Sequence, residues 1–147
     1  MSKREVLPEG AVIYTDHQIS GKGQRGNYWE DEAGKNILMS LLLKPRKLPI
    51  KYQYFLNLIA GLAVLDMLRE HLRGEHLTLK WPNDVYVGKR KIAGILIENN
   101  LVGGIIDASV VGIGLNVNQE IALPASAISL KEITGKSIDR LSMMDEL

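Results

Sequence analysis

Three short stretches hold the residues of this 147-residue sequence whose types and spacing could do chemistry. In LKWPNDVYVGKRKIAGILIE, Lys80, Asn83 and Asp84 surround a Trp-Pro turn, and Lys91 returns on the next strand across a turn at Gly88. A cation and a carboxylate carried to one end of a sheet by a hairpin can hold a transferring phosphoryl or carboxylate group and abstract a proton. An Asx-type turn flanked by solubilising lysines is the structural alternative. In SGKGQRGNYW, residues 20–29, Gly21, Gly23 and Gly26 alternate with Lys22 and Arg25 and lead into Trp29. Exposed backbone amides with two nearby cations suit a small carboxylate or phosphate, although an ordinary surface loop has the same composition. In VVGIGLNVN, Gly112, Gly114, Asn116 and Asn118 interrupt an apolar run. Glycine inside a strand marks close approach of a ligand or another backbone, and an asparagine amide matches the donor and acceptor edge of an adenine. A bulge without a ligand is the alternative.

The glycines of the first loop satisfy G-x-G-x-x-G, the spacing of a dinucleotide-binding turn. That reading requires a helix opening at the third glycine and an acid about 20 residues on, at the end of a second parallel strand. Gly26 is followed instead by NYWEDEAGKN, and the next apolar run ends in LLLKPRK without an acid. A phosphate loop of the G-x-x-x-x-G-K-[ST] type fails as well, since no such spacing occurs.

The elements that must position these residues can be read from periodicity. AVIYTD, residues 11–16, and NILMSLLL, residues 36–43, read as strands that bracket the glycine loop. Between Lys51 and Gly74, Phe55, Leu58, Ile59, Leu62, Leu65 and Leu72 recur at helical spacing, with Gly74 as the stop. LTLK, DVYV, KIAGILIEN and IIDASVVGIGLNV then alternate with turn chemistry and predict an antiparallel meander. A last helix is predicted from near Ser137 to Leu147. The fold class is therefore α+β, a mixed and largely antiparallel sheet flanked by helices, with no repeated βαβ units to build a doubly wound parallel sheet.

Composition narrows the function classes. With 46% hydrophobic residues and no long linker, residues 1–147 read as one domain. A net charge of +1 from 18 basic and 17 acidic residues supplies no global field for nucleic acid or an anionic membrane. The absence of cysteine removes thiolate nucleophiles, thiolate metal sites and disulfides together, and no cluster suggests a metal centre. MSKREVLPEG has no apolar core of a signal peptide, and no apolar run reaches the roughly 20 residues of a membrane span, so a cytoplasmic protein is expected.

Taken together and in this order, GKGQRGNYW, KWPND, KIAGILIE and GIGLNVN closely resemble the biotin–protein ligases. That family shows a G-R-G-R-R-G-x-x-W loop, a K-W-P-N-D hairpin followed by K-x-x-G-I-L-x-E, and a G-I-G-x-N-x-N strand. The resemblance runs from about Pro8 to the end of the chain. It implies a catalytic domain similar to that of class II aminoacyl-tRNA synthetases. It also implies a two-step ligase that makes biotinyl-5′-AMP from biotin and ATP with Mg²⁺, then transfers biotin to a lysine of a biotin carboxyl carrier protein.

By motif, the resemblance assigns Gln18, Gly21, Lys22, Gly23, Gln24, Lys91 and Gly94 to biotin, and Arg25, Trp29, Asn83, Gly112 and Asn116 to ATP or the adenylate. Lys91, Asp84 and Lys80 are the implied catalytic residues, with Asp84 the acceptor of the incoming lysine's proton. Gln24 stands where the family commonly has Arg, leaving Lys22, Arg25 and Lys91 to neutralise the adenylate. Only MSKREV precedes the first strand, where family domains carry a Ser-Thr-Asn segment. The family's C-terminal small β-barrel and the winged helix of its repressor members are also not expected here. The resemblance allows a homodimer. Competing readings are a binding module of the same fold without catalytic competence, a lipoyl ligase, whose Arg-rich and Gly-Gly-Gly loop is missing, and a general adenine-nucleotide-binding protein.

Overall fold

The alternating pattern of residues 90–115 produces the two longest strands, β8 (Arg90–Val102) and β9 (Ile105–Leu115). They are joined by Gly103-Gly104, both at positive φ (58° and 78°), which a two-residue hairpin turn with the twist of the sheet requires. In the computed structural model, which describes residues 7–121 and 123–147 and only the backbone of Arg25, this hairpin is the centre of one antiparallel sheet. The strand order is β1 (Val12–Tyr14), β4 (Ile37–Leu43), β9, β8, β7 (Asp84–Val87) and β6 (Leu77–Lys80), with β5 (Leu48–Pro49) pairing β9. The glycine loop, expected as irregular chain, contains a small hairpin of β2 (Gly21–Lys22) and β3 (Tyr28–Trp29) closed by a 3₁₀ turn over Gln24–Gly26.

The period-2 pattern assigns the sheet two unlike faces. Ile37 and Met39 of β4, Val111, Ile113 and Leu115 of β9, and Ala93 and Ile95 of β8 form one apolar side. Helix α1 (Tyr54–His71) lays Ala60, Val64, Met67 and Leu68 against it, with Val64 and Leu68 fully buried. Burying each such side chain contributes about 1.5–3 kcal/mol. The other face carries Leu38 and Ser40, Gly114 and Gly112, and Gly94 and Leu96 in matching cross-strand positions, and is where a ligand can lie.

The C-terminal helix differs from the expectation. Two short helices form, α2 (Leu130–Thr134) and α3 (Arg140–Met144). Ser129 Oγ accepts from the Glu132 amide to start α2, and Gly135 at φ 70° ends it; Asp139 then accepts from the Leu141 and Ser142 amides and starts α3. The helix expected from near Ser137 to Leu147 is thus confined to α3, started by Asp139, and α2, which was not expected, precedes it between its own cap and a left-handed stop. No helix among the described residues is long and apolar enough to cross a membrane.

Candidate active site

A cavity of about 370 Å³ lies between the glycine-bearing face of the sheet and the glycine loop. Its floor is built from the cross-strand sets Leu38–Gly114–Gly94 and Ser40–Gly112–Leu96. The side chain of Trp29 lies across the first set. A Cβ on Gly114 would come within 2.7 Å of the indole, so this position accepts no side chain while Trp29 is in place, and one on Gly94, 3.1 Å from the indole and 2.9 Å from the Lys91 ammonium, would require both to shift. The roof is Gln18, Lys22, Gly23 and Gln24, with Ile19 and Ser20 at the rim.

The charged end is made by Lys91, with Asp84 beside it just outside the lining. Pairing runs from Val85↔Ala93 directly to Tyr86↔Lys91, so Ile92 is an extra residue on β8. Strict alternation would put Lys91 with Ala93 on the core side; the extra residue brings it to the cavity side instead. There its ammonium is 2.7 Å from Asp84 Oδ1, with the side chains 30% and 22% exposed, and 5.4 Å from the Trp29 ring centroid. The Lys91–Asp84 contact is a Coulombic pair rather than a well-directed hydrogen bond, since Asp84 Oδ1 has no donor aligned with it among the described residues. Trp29 Nε1 is likewise buried without an acceptor among the described residues.

Asn83 lines the same end and fixes the Trp-Pro-Asn-Asp turn to β8. Its Nδ2 donates to the Ile95 carbonyl (3.0 Å), and its own carbonyl accepts from the Ile95 amide (2.8 Å). Gly21 sits behind the roof, paired with Trp29, with Gln18 Oε1 2.8 Å from where its Cβ would be. Lys80 is not brought to the cavity: it is exposed at the end of β6, 3.5 Å from the Tyr86 hydroxyl and over that ring. Asn116 is also elsewhere, buried behind the sheet's end, with Nδ2 donating to the Ile128 carbonyl (3.2 Å) and its carbonyl accepting from the Leu130 amide (3.1 Å). Its Oδ1 has no partner among the described residues. The side chain of Arg25 lies outside the described residues.

The motifs leave unnamed the apolar side chains of the lining, Leu38, Leu96 and Val110, together with Ser40. Leu96 and Val110 were findable, being two residues from Gly94 and Gly112 on the same faces. Leu38 and Ser40 depend on how β4 pairs with β9, which no local signal reports.

An antiparallel α+β domain with a cavity between a glycine-floored sheet and a glycine loop, and with the Lys91 ammonium at one end, is the class that this fold and cavity define. The model of the Biotin/lipoate A/B protein ligase family matches residues 3–116, and the chain belongs to that family. The bifunctional ligase/repressor BirA of Bacillus subtilis is 32% identical over 145 residues, 95% of this chain and 44% of that protein. The biotin–[acetyl-CoA-carboxylase] ligase of Paracoccus denitrificans is 32% identical over 148 residues, 96% of this chain and 61% of its own length. Among solved structures, the biotin protein ligase of Aquifex aeolicus in complex with biotin and ATP superposes with a TM-score of 0.81 at 34% identity, covering 97% of this chain and 59% of that one. The chain thus spans about half the length of the curated relatives it matches.

Proposed function

We propose that this chain is the catalytic core of a biotin–protein ligase, and the observation that carries the reading is the Lys91–Asp84 pair at the polar end of a glycine-floored cavity. Biotin is an apolar bicycle and chain with a carboxylate at one end, which matches an apolar floor of Leu38, Leu96 and Val110 ending at an ammonium. In the first step a biotin carboxylate oxygen attacks the α-phosphorus of ATP, the mixed anhydride forms and pyrophosphate leaves. Lys91 neutralises the carboxylate and the α-phosphate as negative charge converges there, and Lys22 adds a second cation from the loop. Mg²⁺ supplies charge neutralisation on the ATP phosphates. On this reading Gln18 and Gln24 serve the biotin side, and Arg25, Trp29, Asn83 and Gly112 serve the nucleotide or adenylate side.

In the second step the amine of an acceptor lysine attacks the acyl carbon, AMP leaves and the nitrogen loses a proton. The ion pair gives Asp84 a defined place in this sequence. When substrate anions take over Lys91, the carboxylate beside it is released to accept that proton. A roof that closes over the cavity keeps water from hydrolysing the anhydride before the amine arrives. The acceptor is the lysine of a biotin carboxyl carrier protein, and the reaction runs in the cytoplasm.

The test is to supply this chain with biotin, ATP and Mg²⁺ and to measure pyrophosphate release and transfer to a carrier domain separately. Release that depends on biotin, followed by labelling of the carrier lysine, is expected. Release driven by lipoate and not by biotin would overturn the reading.

A further inference from the structure

We propose that Asp31 is a positioning residue that closes the neck of the glycine loop and thereby sets Gln18 against Trp29 across the cavity; the kinetic part of this proposal rests on the ligase reading. The carboxylate belongs to the chain leaving the loop, two residues after Trp29, yet its side chain is only 1% exposed. Oδ2 accepts from His17 Nδ1 at 3.0 Å and Oδ1 accepts from the Gln18 amide at 3.4 Å, both on the chain entering the loop. A buried carboxylate needs such partners, and here both lie 13 or 14 residues away in sequence, so satisfying the charge shuts a loop.

The local support around the neck is consistent with that task. Thr15 Oγ1 donates to the His17 carbonyl (2.9 Å), and the Thr15 amide donates to the Leu38 carbonyl of the sheet (3.0 Å). The entering chain is therefore held to the cavity floor up to His17; the Gly34 amide, donating to the Asp16 carbonyl (2.7 Å), ties the leaving chain to its base, and Asp31 extends that tie to His17 and Gln18, next to the roof. Inside the loop, pairing among the described residues consists of Gly21↔Trp29 and Lys22↔Tyr28, a Gly23 amide to Asn27 carbonyl bond of 2.7 Å and an Asn27 amide to Gln24 carbonyl bond of 3.1 Å. These bonds hold the two arms to each other. Only with the neck closed do Gln18, on the roof, and Trp29, on the floor, keep a fixed separation. A pre-set roof lowers the ordering cost of binding the acid without touching the reacting atoms, so its loss should fall on KM for biotin.

The experiment uses the full chain with Asp31→Ala, Asp31→Asn and His17→Ala. Kinetics of biotin-dependent pyrophosphate release are paired with hydrogen exchange of the ligand-free protein. For Asp31→Ala, KM for biotin should rise about tenfold with kcat within about threefold, and exchange should quicken at the amides of residues 18–29 while β8 and β9 stay protected. Asp31→Asn keeps an acceptor for the Gln18 amide and should recover most of both effects. His17→Ala should shift KM in the same direction by about threefold, and it decides the matter if Asp31→Ala does not fold. Unchanged exchange at residues 18–29, faster exchange across β8 and β9 alike, or a fall in kcat at constant KM would each overturn the proposal. A wild-type chain without biotin-dependent turnover would sink the ligase reading instead, leaving hydrogen exchange to judge the neck.

Discussion

The floor and the roof of the cavity are made in opposite ways. Lys91, Gly94, Gly112 and Gly114 stand on strands paired along nearly their whole length and backed by α1, with Ile92, Ala93 and Leu115 fully buried beside them. The roof hangs on two-residue strands, and its apolar members Ile19 and Tyr28 are 98% and 79% exposed. Groups that must meet developing charge to within fractions of an ångström are thus placed on the most constrained part of the molecule. The groups that enclose the ligand are placed where opening costs least. The two regions should therefore respond differently to substitution and to ligand.

The largest expected effect is on the floor. Lys91→Ala should slow adenylate formation by about 10²–10³ while the melting temperature stays near that of the wild type, because the lost group is an electrostatic contact to the reacting anions. Steady-state pyrophosphate release together with thermal unfolding checks this. Gly114→Val comes next: the added carbons would meet Trp29 at a place where a Cβ alone is 2.7 Å from the indole. Overpacking of this kind costs about 1–3 kcal/mol, so biotin affinity measured by calorimetry should weaken by roughly tenfold to a hundredfold.

A smaller effect separates roof from floor directly. Saturating biotin and ATP should slow exchange at the amides of residues 20–29 by about tenfold or more and leave β8 and β9 nearly unchanged. Equal protection of the roof with and without ligand would remove the distinction between the two regions. The smallest effect lies away from the cavity. Lys131 holds the Glu120 carboxyl below its ordinary value, chiefly through a 2.7 Å hydrogen bond and then through its charge, with Lys35 adding to it and burial opposing. A carboxyl lowered in the folded state stabilises above its unfolded pKa and loses that contribution as pH falls through the folded value. The difference in melting temperature between wild type and Glu120→Gln should therefore be small near neutrality and vanish in acid.

Much of the floor was legible in the sequence because it depends on periodicity. The alternation from Lys91 to Asn116 and the paired turn glycines predict the β8–β9 hairpin, and the strand glycines signal a close approach, which at Gly114 is made by the Trp29 side chain rather than by a ligand or another backbone. The meander and the existence of the long helix follow from the same kind of signal, but the helix face does not: Phe55, Ile59 and Leu62 of the expected apolar stripe are exposed, and Leu56, Ala60, Val64, Met67 and Leu68 are buried with Leu65 instead. What was not legible depends on partners distant in sequence. The extra residue at Ile92 turns Lys91 toward the cavity only through its pairing with β7. Asn116 looks like a ligand-reading amide, but its surroundings are the Ile128 and Leu130 backbone groups of a segment that no local pattern brings back to the sheet. Asp31 reads as one acid among several in WEDE, and its burial against His17 and Gln18 is a property of the closed loop alone. The short helix α2, which was not expected, has its signals in the Ser129 cap and the Gly135 stop, too close together to stand out as a helical period.

The central claim is that the rigid floor divides two steps between two adjacent groups, Lys91 for activation and Asp84 for transfer. It is tested most directly by single-turnover transfer from preformed biotinyl-5′-AMP to a carrier domain, comparing wild type with Asp84→Asn. The account predicts transfer slower by about 10²–10⁴ in Asp84→Asn, with pyrophosphate release from biotin and ATP far less affected. Normal transfer from the preformed adenylate would contradict it and leave Asp84 as a residue that merely caps its turn and pairs with Lys91.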